Sequence, residues 1–349
     1  DDRIITRAHE GDDEVVGVYS VASGEAVLPL TGHTDVVTAL AIDGELVASA
    51  AADGTARVWQ LGIDSGSCVA IATVGEPVLS VALRGGLLVT GDVTSTAKLW
   101  QLGTRAAESD AQTRGTAARS QQRPRAQRTR QATLIGWRSH LGVVYCVGVS
   151  SGGVVFSLGW RKNDLKIWRA AEAAGEETAE VVPPADSGYA MVVEGERVYL
   201  GLRNGYVAVY DADGEARHLL RANVASREVT SVAARDIGSD VILFTGCEHG
   251  PQAIRVFLLK NWLPGMPTPK PVLIANHDTF HAVVSLALSP NGGLIAAIGN
   301  DEELEIFAPK GGEVVIPHYA PVLAGEDLMG SSGAGNIEMA KDGMTRLAW

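Results

Sequence analysis

The chain has 349 residues, 46% of them hydrophobic and 20% charged, with a net charge of −12. No apolar run approaches the roughly 18 consecutive residues of a membrane-spanning helix, which argues against a helical membrane protein. The three cysteines, Cys68, Cys146 and Cys247, are odd in number and form no CxxC pair, which argues against a disulfide framework and predicts buried, reduced thiols. With no apolar leader visible at its start, the chain is expected in the cytoplasm or nucleus.

The first element is a hairpin, RIITRAHEGDDEVVGVY, ending at Tyr19. The second is clearer. In ELVASAAADGTARVWQ two β-runs flank Asp53-Gly54, a strong short hairpin signal, and the second run ends at Trp59. The same shape returns in LLVTGDVTSTAKLW, ending at Trp100, and in VVFSLGWRKNDLKIW, ending at Trp168. It returns again in RVYLGLRNGYVAVYD, VILFTGCEHGPQAIRVF and LIAAIGNDEELEIF, whose aromatic ends are Tyr210, Phe257 and Phe307. The steps between the aromatic ends are 40, 41, 68, 42, 47 and 50 residues. Four-stranded propeller blades repeat at about 40–45 residues, and the long step contains an insertion.

Six of the seven hairpins follow an apolar run: Val36–Ile42, Val78–Leu83, Val143–Val149, Tyr189–Val193, Val229–Ala234 and Val283–Leu288. The first hairpin lacks one, while the chain ends on GMTRLAW, an unpaired strand-like run. The expectation is that Met344–Trp349 pairs beside Arg3–Arg7 and completes a seventh blade, since shared ends remove exposed sheet edges. A six-bladed ring with frayed ends is the alternative.

Residues 30–60, LTGHTDVVTALAIDGELVASAAADGTARVWQ, carry Gly32-His33, Asp53 and Trp59 in one repeat. This pattern resembles the WD40 repeat family. The resemblance implies an all-β, seven-bladed propeller forming one domain over 1–349. It also implies that His33, Ser49, Asp53 and Trp59 form a buried structural hydrogen-bond chain. Other repeats depart from the pattern: His140-Leu141-Gly142 and Asn276-His277-Asp278 stand where Gly-His would, and Trp-Asp survives only as Tyr210-Asp211.

The family arrangement implies that one face carries the turn before each first strand and the turn between the second and third. Arg138, Trp160, Arg161, Lys162, Arg203 and Arg227 fall in these turns and form the candidate partner-binding face. An aromatic flanked by Arg and Lys has the composition of an interface anchor, and the arginines suit an acidic or phosphorylated peptide. Trp262, in the Pro-rich KNWLPGMPTPK, is expected to pack on its own blade.

The insertion spans residues 103–131. It has seven Arg, one Glu and one Asp, a net +5 that leaves −17 for the remainder. It has no apolar residue larger than Ala or Pro, so it is expected to be a disordered loop on the face opposite Trp160. Arg114, Arg119, Arg123, Arg125, Arg128 and Arg130 would make it an electrostatic arm for RNA or an acidic surface. It lacks stacking aromatics, and the acidic body does not suit nucleic acid.

Chemistry is poorly supported. His277 and His281 stand four apart but in a turn entering a strand, where His277 more naturally replaces the structural His of its blade. No GxSxG or Walker motif occurs. The expectation is no cofactor, no metal and no catalytic residue. The chain is expected to be a non-catalytic scaffold, a monomeric ring binding protein partners within a larger complex and not a membrane. The alternatives are a nucleic-acid-associated protein acting through 103–131 and a propeller enzyme with an axial site.

Overall fold

The computed structural model describes residues 3–10, 13–20, 26–62, 65–103, 129–161, 164–169, 188–195, 197–211, 218–225, 228–247, 253–262, 269–277, 283–288, 295–299 and 304–307. Every regular element among them is a β-strand, and the strands form seven sheets. The first sheet is β1 (Arg3–Glu10), β2 (Asp13–Ser20) and β3 (Ala26–Thr31). The second is β4 (Val37–Asp43), β5 (Leu46–Ala51), β6 (Thr55–Leu61) and β7 (Gly66–Thr73). The third is β8 (Val78–Arg84), β9 (Leu87–Asp92), β10 (Thr96–Gln101) and β12 (Thr133–Ser139). Between β10 and β12, β11 (Arg130–Gln131) joins the second sheet instead, parallel to β7.

The fourth sheet is β13 (Val144–Val149), β14 (Val154–Gly159) and β15 (Leu165–Arg169). The fifth is β16 (Gly188–Glu194), β17 (Arg197–Leu202), β18 (Tyr206–Asp211) and β19 (His218–Asn223). The sixth is β20 (Val229–Ile237), β21 (Asp240–Cys247), β22 (Ile254–Leu259) and β23 (Val272–His277). The seventh is β24 (Val283–Leu288), β25 (Ile295–Gly299) and β26 (Leu304–Phe307). Consecutive strands within a sheet pair antiparallel through short turns. Residues 344–349, expected to pair beside β1, lie outside the described residues.

Each sheet packs on the next in chain order, through the apolar residues of its two faces. Ala48, Ala50, Val58, Ala70 and Ala72 of the second sheet meet Val81, Leu83, Leu88 and Trp100 of the third. Val89 and Leu99, on the other face of the third, meet Val144, Val155 and Trp168 of the fourth. Both faces are buried, so the middle strands read as continuous runs and not as clean alternation. The first strands β4, β8, β13, β16, β20 and β24 contact one another in succession and are the innermost.

One irregularity recurs in all six inner strands. The register shifts between Val37 and Ala39, Val78 and Ser80, Val144 and Cys146, Gly188 and Ala190, Val229 and Ser231, and Val283 and Ser285. Each shift is a β-bulge, which inserts one extra residue opposite the partner strand and re-aims it. The bulged residues are Thr38, Leu79, Tyr145, Tyr189, Thr230 and Val284, each half-buried between two buried neighbours. At the bulges, polar side chains reach the next sheet. Thr38 donates to the Val78 carbonyl, Ser80 to that of Val144 (3.1 Å), the Cys146 thiol to that of Tyr189 (3.4 Å) and Thr230 to that of Val283.

Candidate binding face and its structural supports

The His33 chain forms as the family resemblance implies. The Trp59 indole donates to Ser49 Oγ at 2.8 Å, Ser49 Oγ lies 2.7 Å from His33 Nε2, and His33 Nδ1 lies 2.8 Å from Asp53 Oδ2. A neutral imidazole protonated on Nδ1 satisfies every link: Trp59 N–H to Ser49, Ser49 O–H to Nε2, and Nδ1–H to the carboxylate. The same carboxylate caps the hairpin by accepting the Thr55 hydroxyl (2.7 Å) and the backbone N–H groups of Thr55 and Thr34. Burial by itself raises the Asp53 pKa. The hydrogen bonds from His33, Thr55 and the Thr34 backbone N–H outweigh it and hold the carboxyl well below the usual range.

A second complete chain lies in the fourth sheet. His140 Nε2 is 2.8 Å from Ser157 Oγ, His140 Nδ1 is 2.9 Å from Asp164 Oδ1, and the Trp168 indole donates to Ser157 at 3.4 Å. Asp164 also accepts the Leu141 N–H at 2.8 Å. The order Ser–His–Asp has the connectivity of a hydrolytic triad. Ser49 and Ser157 are fully buried beneath a tryptophan, and each oxygen is already engaged by an indole and an imidazole. The arrangement ties strands together and presents no nucleophile.

The third sheet reaches the same end with different residues. Trp100 donates to Thr90 Oγ1 at 3.0 Å, and Asp92 caps its hairpin through Thr94 and Thr96. Val74 stands four residues before β8, as His33 stands before β4. The missing imidazole is replaced by the Lys98 ammonium, 3.1 Å from Asp92 and 3.0 Å from the Val74 carbonyl. In the sixth sheet Arg255 likewise donates to the Val224 carbonyl at 2.9 Å.

These supports fix the turns that carry the exposed face. The hairpin between β14 and β15 is longer than its counterpart in the second sheet, because Asp164 enters only at the start of β15. The extra residues push Trp160 outward, where it is 46% exposed. Its ring meets Tyr145 at 5.1 Å (44° between planes) and Tyr189 edge-on at 5.7 Å (84°). Both tyrosines are bulge residues of adjacent inner strands, so the three rings form one platform at the start of those strands. Leu141, 70% exposed, follows the His140 that anchors the turn. Gly142 lets the chain pass against Trp160 Cβ (3.5 Å) and Arg161 Cγ (3.4 Å), distances measured from where its own Cβ would stand.

Of the residues expected on this face, Trp160 and Arg161 are exposed there. Arg203 is exposed and pairs with Glu228 at 2.8 Å, joining the turns of the fifth and sixth sheets. Lys162 and Arg227 lie outside the described residues. Arg138 is a correction. It pairs with Ala97, whose face is turned to the fourth sheet, so its guanidinium lies buried over the Trp168 ring at 5.0 Å and donates to the Trp137 carbonyl. The tyrosines of the platform were not anticipated; the signal available was an aromatic between two small or branched residues, Val-Tyr-Cys and Gly-Tyr-Ala, at the start of an inner run.

Trp262 is buried against its own sheet, as expected, and also meets the preceding one: it packs with Val241, Phe257 and Leu259, its backbone N–H donates to the Ser239 carbonyl at 2.7 Å, and Arg197 of β17 lies over its ring at 4.4 Å and donates to its carbonyl. Two further expectations change. Cys146 and Cys247 are buried, whereas Cys68 is only half-buried; all three are thiols and not disulfides, and burial raises the pKa of Cys68 and Cys247. The basic insertion is ordered at its far end. Arg130 and Gln131 pair with Ala70 and Ile71, and Thr129 donates to the Cys68 carbonyl at 2.9 Å. Arg114, Arg119, Arg123, Arg125 and Arg128, and the side chains of His277 and His281, lie outside the described residues.

The comparisons agree with this geometry. Residues 24–60 match the family model described as WD domain, G-beta repeat, the segment that holds the first complete hydrogen-bond chain. The crystal structure of the RRP9 WD40 repeats superposes with a TM-score of 0.60 at 15% identity, covering 88% of this chain and 97% of that one. Residues 24–60 carry a WD40 repeat, and the chain has the fold of WD40-repeat structures. The crystal structure of the computationally designed Ika8 protein has the same fold, with a TM-score of 0.57 at 20% identity, covering 88% of this chain and 84% of that chain. No curated protein matches.

Proposed function

We propose that this chain is a non-catalytic scaffold that binds a protein partner at the Trp160 platform. WD40 repeats generally mediate protein–protein interactions. The observation that carries the reading is the cluster of Trp160, Tyr145 and Tyr189, partly exposed together beside a turn anchored by the buried His140–Asp164 pair. A rigid aromatic group loses little entropy on binding and offers a large apolar area. Exposed Leu141 extends the apolar surface and Arg161 adds a cation beside it. The partner surface this suits is a protruding apolar side chain with an acidic neighbour.

We read the propeller as seven-bladed, with residues 344–349 as the missing inner strand of the first sheet. In support, the other six sheets each have an inner strand ahead of their hairpin, and the first has none among the described residues. Three cysteines held as thiols support a cytoplasmic or nuclear setting.

Affinity capture from native extract tests the reading, using the intact chain, Trp160→Ala and a form lacking residues 104–128. Partners lost with Trp160→Ala and retained without the insertion support it. Partners lost only with the insertion, and released by nuclease, would move function to the basic arm.

A further inference from the structure

The turns beside the Trp160 platform are tied into one strip that crosses from the third sheet to the fourth. Within the third sheet the Val93 N–H donates to the Pro77 carbonyl at 3.1 Å, and within the fourth the Trp160 N–H donates to that of Val143 at 2.9 Å. Between the sheets the His140 N–H donates to the Ser95 carbonyl at 2.7 Å, as Val74 donates to Gly54 and Val224 to Gly205 at two other seams. Ser95 holds the left-handed backbone that Gly54 and Gly205 hold in their turns (φ 67°, 78° and 79°), a conformation uncommon for a residue with a side chain. The Asp92 carboxylate fixes the same turn by accepting from Thr94 and Thr96.

Three apolar side chains stand open along this strip: Val93 at 38%, Leu141 at 70% and Trp160 at 46%. The other large exposed hydrophobics among the described residues all lie on outer strands, Val27 on β3, Leu134 and Trp137 on β12, Val272 and Leu273 on β23. The matching turns of the flanking sheets are polar or small, Ala52-Asp53-Gly54 in the second and Arg203-Asn204-Gly205 in the fifth. The apolar stretch is therefore confined to one seam. Its two ends carry opposite charge. Glu76, beside Pro77, is exposed at the third-sheet end, and Arg161, beside Trp160, is exposed at the fourth-sheet end. Neither has an ion-pair partner among the described residues, whereas Arg203, the next cation along the face, is already neutralised by Glu228 at 2.8 Å. The turn residues between the two ends, Val93 to Ser95 and Leu141 to Gly142, are uncharged.

We propose that this strip docks a peptide segment of a partner protein in one polarity, with apolar side chains over Val93 and over the Leu141–Trp160 pair, a basic residue facing Glu76 and an acidic residue facing Arg161. The inference rests on the Trp160 platform being a binding surface and adds what that surface selects. Charge complementarity names the occupant. A nucleic acid carries one sign of charge throughout and would set phosphate against Glu76. A wholly acidic peptide meets the same repulsion, and a wholly basic one meets Arg161. The apolar centre excludes water and supplies most of the affinity. The two exposed charges contribute little each, but both turn repulsive when the segment is reversed, which makes them a device for orientation.

Selection from a display library of random short peptides, with the intact chain immobilised, tests this. Selected peptides should carry apolar residues flanked by a basic residue on one side and an acidic residue on the other, in one consistent order. Binding of a selected peptide, followed by fluorescence polarisation, should be lost in Trp160→Ala and in Leu141→Ser. Glu76→Lys and Arg161→Glu should each weaken it about threefold or more. Glu76→Lys should recover affinity when the basic residue of the peptide is changed to an acidic one. If Trp160→Ala unfolds the chain, Leu141→Ser, at the more exposed position, stands in for it. Peptides that depend on Trp160 or Leu141 but lack opposed flanking charges, or ignore both charge reversals, overturn this inference and leave the platform standing. A library that yields only binders indifferent to Trp160 and Leu141, or none, overturns the platform reading with it.

Discussion

His140 and Asp164 meet at 2.9 Å with both side chains buried, although 24 residues and two strands separate them. The pair anchors the turn before β13 to the start of β15, and Leu141 and Trp160 project from the two loops it joins. Removing one partner leaves the other buried without its hydrogen bond, which costs about 3 kcal/mol. His140→Ala and Asp164→Ala should each lower unfolding free energy by about that amount in urea titrations. Their double variant should lose far less than the sum, because each single change already breaks the same link.

Gly159 is bound to the same pair. A methyl group placed there would overlap the Asp164 carboxylate and crowd His140 Nδ1 at 3.2 Å. Gly159→Ala should therefore behave like the loss of Asp164, although its backbone lies in an ordinary strand. A variant as stable as the parent would show that the carboxylate can move aside without cost.

Acid should act through Asp53. Its folded-state pKa lies below its unfolded value, near 3.9, so between the two the unfolded chain binds more protons. The stabilisation is complete above the unfolded value and is lost as pH falls through the folded one. Asp53→Asn should lower the melting temperature at pH 7 and flatten its decline in acid. Equal acid slopes in the parent and Asp53→Asn would remove Asp53 from the account.

The legibility of these features in the sequence follows from their spacing. His33, Ser49, Asp53 and Trp59 are recognisable because the two-strand hairpin holds Asp53 at its tight turn. The fourth-sheet chain uses the same residue types, but the longer loop moves the acid from the turn to the strand start, so Asp164 has no fixed offset to be recognised by. Lys98 is harder still, since a lysine two residues before a strand's final Trp normally marks a solvated face, and only the pairing shows it reaching Asp92 and the Val74 carbonyl. Arg138 misleads for the opposite reason. Its charge suggests the surface, but strand alternation sets it inward with Ala97, where an aromatic face compensates burial. The bulges that present Tyr145 and Tyr189 depend on how each inner strand pairs with its neighbour, which a linear pattern does not encode.

Trp160 and Trp168 make a matched pair for separating binding from folding. Trp168 is buried and donates to Ser157, so Trp168→Ala should cost about 3–5 kcal/mol of stability. Trp160 rests on Tyr145 and Tyr189 with nearly half its surface open, and Trp160→Ala should cost no more than about 1.5 kcal/mol. Partner capture should fall with Trp160→Ala at a temperature where both proteins are fully folded. A loss of stability comparable to that of Trp168→Ala would make Trp160 part of the core.

Closure of the propeller makes the broadest prediction. β1 pairs with β2 along its whole length, from Arg3 with Ser20 to Glu10 with Asp13, and its other edge has no strand beside it among the described residues. In the other sheets, that position is held by the inner strand, which carries the bulge and, in β4, β8, β13 and β20, a hydroxyl or thiol bond to the next sheet. If residues 344–349 fill it, they join the two ends of the chain. Deleting residues 343–349 would then expose the edge of β1 and leave Ile4, Ile5 and Ala8 without part of their cover. The melting temperature should fall by many degrees, and hydrogen exchange should accelerate first in β1 and β2, then in the neighbouring second sheet. A deletion that leaves both unchanged would mean that the ring is closed by another segment, or that β1 is stable as an open edge.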